Sequence, residues 1–245
     1  MIRIIPSLLL SNKKLVKGKK FSNYKNAGSP ITTILSLDSQ KADEIFLIDL
    51  DAHKLNKEPD IDTLKKIAEI SSTPLTFGGG INSFEISNKI LTNGADKIFI
   101  NKALFNNKNL IDKIAYTFGN QSIVGGINLI KKKNSYFIAE DETQKIDPII
   151  YAKELQNRGV GELKITYVDL EGSRSGVDLN FSKKIIESLN IPVIIEGGIG
   201  KLEHLSDCCK NNINSIAIGT MIIFSDYNII KIKQYLGNAN YNIRI

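Results

Sequence analysis

Pro74-Leu75-Thr76-Phe77-Gly78-Gly79-Gly80-Ile81 returns 118 residues later as Pro192-Val193-Ile194-Ile195-Glu196-Gly197-Gly198-Ile199. The same shift superimposes Glu44 on Glu162, Asp51 on Asp169, Asp60 on Asp178, Lys65-Lys66-Ile67 on Lys183-Lys184-Ile185 and Glu85 on Glu203. A fixed period of about half the chain means two copies of one structural unit. Outward from these stretches, short apolar runs rich in Ile and Val occupy residues 3–10, 44–49, 74–77, 97–101, 122–128, 162–168, 192–196 and 215–219. They read as parallel strands buried on both faces. Amphipathic segments follow them at 31–39, 60–71, 83–93, 108–118, 148–158, 180–188, 201–210 and 228–236, with Pro30, Asp60, Ser83 and Pro148 as start signals and Gly94 and Gly159 as stops. Eight β-α units in 245 residues predict an α/β fold, a (βα)8 TIM barrel forming one domain over 1–245, with half-barrels of about 1–119 and 120–245. A doubly wound sheet would not produce the half-length repeat. Residues 131–145 read as an excursion after the fifth strand, a hairpin built on Asn134-Ser135.

Composition excludes several classes. No apolar run has transmembrane length, and Met1-Ile2-Arg3 leads directly into a strand with no room for a signal peptide. The cysteines, Cys208 and Cys209, are adjacent and can form neither an ordinary bridge nor a metal cage, which fits a reducing cytoplasm. Neither they nor His53 and His204 have ligand spacing, so no metal and no cofactor is expected. The formal charge of +6 comes from lysines spread along the whole chain, without the aromatic–basic interleaving of a nucleic-acid surface.

In barrels of this kind active sites lie at the C-terminal ends of the strands. Gly79-Gly80 and Gly197-Gly198 stand there, beside Asn101 and Gly219-Thr220 at the ends of the neighbouring strands. Glycines let backbone N–H groups approach an oxyanion, so two phosphate cradles are expected across the mouth, and Thr166 is a further candidate phosphate-binding residue. Side chains alternate along a strand. If Asn101 and Thr166 point inward, Arg3, Glu44, Lys97 and Glu162 gather at the opposite, bottom end, as a salt-bridge plug or as a gate on a path through the barrel. By the same alternation Lys164 points inward on the strand next to Glu196, and the two are expected to pair.

These motifs carry a family resemblance. Arg3-Ile4-Ile5-Pro6, Val16-Lys17-Gly18, Asn26-Ala27-Gly28-Ser29-Pro30, Gly94-Ala95-Asp96-Lys97 and Gly200-Lys201-Leu202-Glu203-His204, together with the glycine runs, make the chain similar over essentially its full length to the cyclase subunit of imidazole glycerol phosphate synthase. The resemblance implies a phosphorylated small-molecule ligand at the mouth, touching Gly80, Asn101, Gly198 and Thr220. It also implies a glutaminase subunit docked on the N-terminal face at Asp96, and ammonia passing the gate of Arg3, Glu44, Lys97 and Glu162. The family's acid and base are aspartates at the ends of strands one and five, where this sequence has Leu9 and Asn128. Leucine transfers no proton, and asparagine does not titrate near neutrality. A well-placed acid or base contributes roughly 10²–10⁴-fold. Asn128, Glu171 and Glu196 are what remains as candidate catalytic groups, with Asp49, Asp51 and Asp169 the other acids near the mouth. Such divergence resembles the copies associated with surface-polysaccharide genes, in which ammonia goes to a separate sugar amidotransferase. Three readings follow: an ammonia-channelling subunit for sugar amidination, a histidine-pathway cyclase with altered groups, and a non-enzymatic scaffold that activates a glutaminase.

Overall fold

The computed structural model describes residues 1–55, 57–107 and 109–244. Its strands are β1 (Arg3–Ser11), β2 (Lys14–Lys19), β3 (Ser22–Gly28), β4 (Ile45–Asp49), β5 (Leu75–Gly78), β6 (Lys97–Ile100), β7 (Ile123–Lys132), β8 (Ser135–Ile138), β9 (Glu162–Tyr167), β10 (Val193–Glu196) and β11 (Ser215–Ile218). Eight of them pair in parallel in the order β1–β4–β5–β6–β7–β9–β10–β11, and β11 pairs back onto β1. The sheet is therefore a closed (βα)8 barrel without edges. The eight predicted strands are all present. The predicted start of the fourth helix, Lys108, lies outside the described residues.

The period of the sequence recurs in the hydrogen-bonded register. Ile45 pairs with Leu75 and Leu163 with Val193, while Gly78 pairs with Phe99 and Glu196 with Ala217. Each of these pairs is its counterpart shifted by 118. The repeated acids explain themselves as local fasteners. Asp60 and Asp178 are the N-caps of the helices Ile61–Ile70 and Leu179–Glu187, accepting hydrogen bonds from the Thr63 and Phe181 N–H groups. Asp51 accepts from the Ser11 hydroxyl and the Asn12 N–H, tying the end of β4 to the β1–β2 turn. Asp169 accepts from the Lys131 N–H and ties the end of β9 to the β7–β8 hairpin. Asp49 is also committed, accepting from the N–H groups of Asp51, Ala52 and Asp60.

Two hairpins lie outside the barrel order. The excursion after β7 is the expected one, with β8 antiparallel to β7. The other, β2 and β3 added antiparallel at the end of β1, has no apolar run of its own to signal it. β3 is largely exposed and rich in Asn, Lys and Ser, so periodicity gives no strand signal there.

The main core lies between the sheet and the surrounding helices, and Cys208 and Cys209 pack into it. Burial pushes their thiols up, to about 12 and about 11. A second, smaller core of Ile5, Phe46, Phe99, Val124, Ile194 and Ala217 fills the barrel interior. Phe99 needs glycine opposite it, since a Cβ on Gly126 would meet its ring at 2.5 Å. No helix among the described residues is long and apolar enough to cross a membrane.

Gly79 has φ +105°, and a Cβ there would collide with the Asp49 backbone. Gly79→Ala is expected to lower stability by about 2–4 kcal/mol, read from urea unfolding, because left-handed strain and the collision act together.

Candidate functional site

The bottom of the barrel holds the four predicted charges in one network. Arg3 Nη1 lies 3.2 Å from Glu44 Oε2, and Arg3 Nη2 donates to Glu162. Lys97 Nζ bridges the same two carboxylates at 3.0 and 2.8 Å. Thr76 donates to the other oxygen of Glu44 at 2.6 Å, and Arg3 Nε donates to the Ser215 hydroxyl at 3.1 Å. The glutamates are buried, whereas Arg3 and Lys97 are about a quarter exposed, so the cations face the bottom solvent. Burial works against the charge of Lys97, but the Glu44 and Glu162 carboxylates outweigh it and raise its pKa. Burial likewise opposes ionisation of Glu162, and Arg3 and Lys97 reverse that and hold its carboxyl low. Asp96 sits exposed on the same face, where its carboxylate accepts from the Leu75 N–H at 2.8 Å.

Above the ring comes the apolar layer of Phe46 and Phe99, whose rings meet edge-on at 5.8 Å. Lys164 is buried at its upper rim and pairs with Glu196, as the alternation argument predicts. Its ammonium also lies 5.0 Å from the Phe99 ring centre and 5.6 Å from that of Phe46, a placement worth about 1–2 kcal/mol when desolvated. Thr166 joins the pair, 3.2 Å from Lys164 Nζ and 3.3 Å from Glu196 Oε2. Burial would raise the Glu196 carboxyl, but Lys164 and Lys17 overcome it and bring it to about 2. A carboxyl so placed is ionised at neutral pH and is a weak proton acceptor.

At the mouth the two cradles differ. Gly80 and Gly198 both have positive φ, and their Cβ directions are blocked by Ala52 and by the Gly176 backbone, so close packing alone demands glycine at both. The second cradle is filled from within. Lys17, on β2, is buried and pairs with the buried Glu171 of the loop after β9. Its Nζ stands 2.7 Å from where a Cβ on Gly219 would be. Between Lys17, Glu171, Glu196, Gly197, Gly198 and Thr220 the free space is about 10 Å³, room for one water at most. Sequence reading missed Lys17 as a partner of Glu171, because 154 residues separate them and β2 carries no strand signal.

On the other side, Leu9, two residues before the end of β1, is a partly exposed apolar group. Asn128 on β7 donates to Glu140 Oε1 at 2.6 Å. Burial raises the Glu140 carboxyl against opposing hydrogen bonds that include Asn128 and Asn101. Glu140 was also missed, since it follows the short strand β8 without a motif around it. Among the described residues no group of three His, Cys, Asp or Glu side chains is gathered as metal ligands would be.

A closed barrel with a half-length repeat, a charged ring at its N-terminal end and glycine runs at its mouth defines a class of duplicated (βα)8 proteins, and comparison with known sequences gives the family. A family model described as histidine biosynthesis protein matches residues 3–228. The subunit HisF of imidazole glycerol phosphate synthase from Sulfurisphaera tokodaii is 36% identical, the alignment covering 99% of this chain and 98% of that one. The HisF subunits of Campylobacter concisus and Clostridium botulinum are 33% and 34% identical, each with 99% of this chain and 98% of theirs covered. This chain belongs to the histidine-biosynthesis protein family.

Lys164→Met leaves Glu196 buried without its main partner, and a loss of about 3–5 kcal/mol is expected in chemical denaturation. Much of it should return in the Lys164→Met/Glu196→Gln double variant. Glu196 also sets an acid limit. Its pKa is lower folded, about 2, than unfolded, about 4.3, so its stabilisation is complete above the unfolded value and is lost as pH falls towards the folded one. The Glu196→Gln chain should therefore show a shallower loss of stability between about pH 4.3 and 2 in acid titration.

Proposed function

We propose that this chain is the synthase-side subunit of a glutamine amidotransferase complex. In this reading it conducts ammonia from a glutaminase bound on its N-terminal face, past the charged ring and through the barrel, to an acceptor other than the substrate of the histidine-pathway cyclase. The observation that carries the reading is the combination of a complete ring of Arg3, Glu44, Lys97 and Glu162 with Leu9 and Asn128 at the two positions where the family resemblance expects aspartates. Conduction needs the ring and the docking face; cyclisation needs the acids.

The layering is consistent with this use. Ammonium loses its hydration at large cost in an apolar layer, whereas neutral ammonia crosses it at far smaller cost. The Ile5, Phe46, Phe99 and Val124 layer above the ring would therefore pass the neutral form and exclude the ion. Asp96 beside the ring is the docking contact, and Gly79, Gly80 and Asn101 form the phosphate cradle. The acceptor we favour is an acetamido sugar, amidinated by a separate sugar amidotransferase for a surface polysaccharide. The names of the relatives support a second reading, a histidine-pathway cyclase. The buried ion pairs of Glu171 and Glu196 weigh against it, since both candidate bases are already engaged.

The test is ammonia-dependent cyclisation by the purified chain. Turnover at least 10²-fold below that of a cyclase with both aspartates is expected, given what one well-placed acid or base contributes; comparable turnover would replace the first reading by the second. In a mixed complex with a glutaminase subunit, glutamine hydrolysis should rise. Glu44→Ala or Lys97→Ala should then leave hydrolysis running while less of its ammonia is transferred. Unchanged coupling in both variants would remove the gate, and stimulated hydrolysis with no transfer by the unaltered chain would reduce the protein to a scaffold.

A further inference from the structure

Two buried polar atoms without a hydrogen-bond partner belong to neighbouring side chains at the barrel mouth: Asn101 Oδ1 and Glu140 Oε2. Buried polar atoms in folded proteins are almost always satisfied, so a pair of orphans marks a place for a ligand, a water or a proton. Glu140 is its centre. Its Oε1 accepts from Asn128 Nδ2, the Asn101 carboxamide adjoins it, and Tyr151 on the helix Pro148–Asn157 is near enough to feel its charge. Asn101 in turn follows β6, the strand beside β5 and its Gly79-Gly80 turn.

We propose that Glu140 is the proton-carrying residue of the barrel mouth, and that an anion seated on Gly79, Gly80 and Asn101 binds together with a proton on its carboxyl. The proposal rests on the reading of these glycines and Asn101 as an anion cradle. A neutral carboxyl has an O–H to donate, and an acceptor without a donor, Asn101 Oδ1, stands beside it. An ionised carboxylate would instead face an arriving phosphate or sulfate as a second negative charge in a partly dehydrated site. Burial favours the neutral form and outweighs the Asn128 and Asn101 hydrogen bonds, which favour the ionised one. Neither amide brings a positive charge. Tyr151 is held neutral well above physiological pH, mainly by burial, and Arg158 and Glu154 act on it with opposite signs. The neighbouring Asp141 carboxylate is turned away, onto the Thr143, Lys145 and Ile146 N–H groups. Burial raises the Glu140 pKa. Glu140 thus returns a titrating group to Asn128, by a hairpin rather than by the strand itself.

Two measurements test this. In protein labelled with 13C at glutamate carboxyls, one resonance should titrate at higher pH than the ordinary glutamates, and it should vanish in Glu140→Gln. Asn128→Ala should move it higher still, since the Asn128 hydrogen bond favours the ionised form. No late-titrating glutamate, or one that survives in Glu140→Gln, would overturn the proposal. The second probe is sulfate, which stays a dianion from pH 5 to 8 and binds without titrating itself. Calorimetric affinity should fall about tenfold as Glu140 ionises, the scale of one added charge at short range. In Glu140→Gln that fall should be absent, and any pH dependence from other groups should be common to both chains. Sulfate binding with the same pH profile in both chains would overturn the role of Glu140 and leave the cradle standing. No sulfate binding in either would overturn the cradle as well, without touching the coupling readout of Glu44 and Lys97.

Discussion

Closing a parallel sheet on itself turns one face of every strand into an interior that must be filled and, where it carries charge, neutralised. Here that constraint is met at the bottom by Arg3 and Lys97 against Glu44 and Glu162, with Thr76 and Ser215 taking up remaining hydrogen-bonding capacity. The side chains come from six of the eight barrel strands, or in the case of Glu44 from the residue just before one, so the ring ties together strands that are not neighbours in the sheet. Removing one member would leave a buried charge with half its partners. The ring also fixes which face of each strand points inward, and the apolar layer and the mouth follow from it by alternation.

A second buried pair obeys the same rule. Lys164 enters the interior at a level otherwise occupied by Ile5, Phe46 and Phe99, and is stabilised by Glu196, Thr166 and two aromatic faces. Glu196 stands in the second half where Gly78 stands in the first, and β5 offers no room for such a group because Phe99 packs against Gly78. Lys164 and Glu196 therefore read as one change rather than two.

The two halves keep their symmetry in fasteners and lose it in chemistry. Asp51 and Asp169 each anchor a hairpin, and Asp60 and Asp178 each cap a helix, because both copies must hold the same loop against the same strand end. At the mouth the second cradle is packed with Lys17 and Glu171, whereas the first is bordered by neutral amides and the Glu140 carboxyl. The repeated Asp51/Asp169 and Asp60/Asp178 are thus structural, whereas Glu171 and Glu196, which break the repeat, are held in buried ion pairs with Lys17 and Lys164.

The sequence by itself determined the barrel, its half-length period, the bottom ring and the meeting of Lys164 with Glu196. All of these follow from periodicity: a two-residue alternation fixes which side chains share a face, and a fixed shift fixes which strands correspond. It also gave Leu9 and Asn128 as departures from the family pattern. Only the tertiary structure decided how Lys17 reaches Glu171, how Glu140 reaches Asn128 and Asn101, and that the second cradle is filled. Those contacts are made by β2, β3 and the segment around β8, which lie outside the barrel order, too short or too polar to carry a hydrophobic period, and whose place over the mouth is set by Asp51, Asp169 and the backbone bond from Lys20 to Glu171. A contact between residues far apart in the chain, carried on segments without a pattern, exists only once the barrel has brought their anchoring points together.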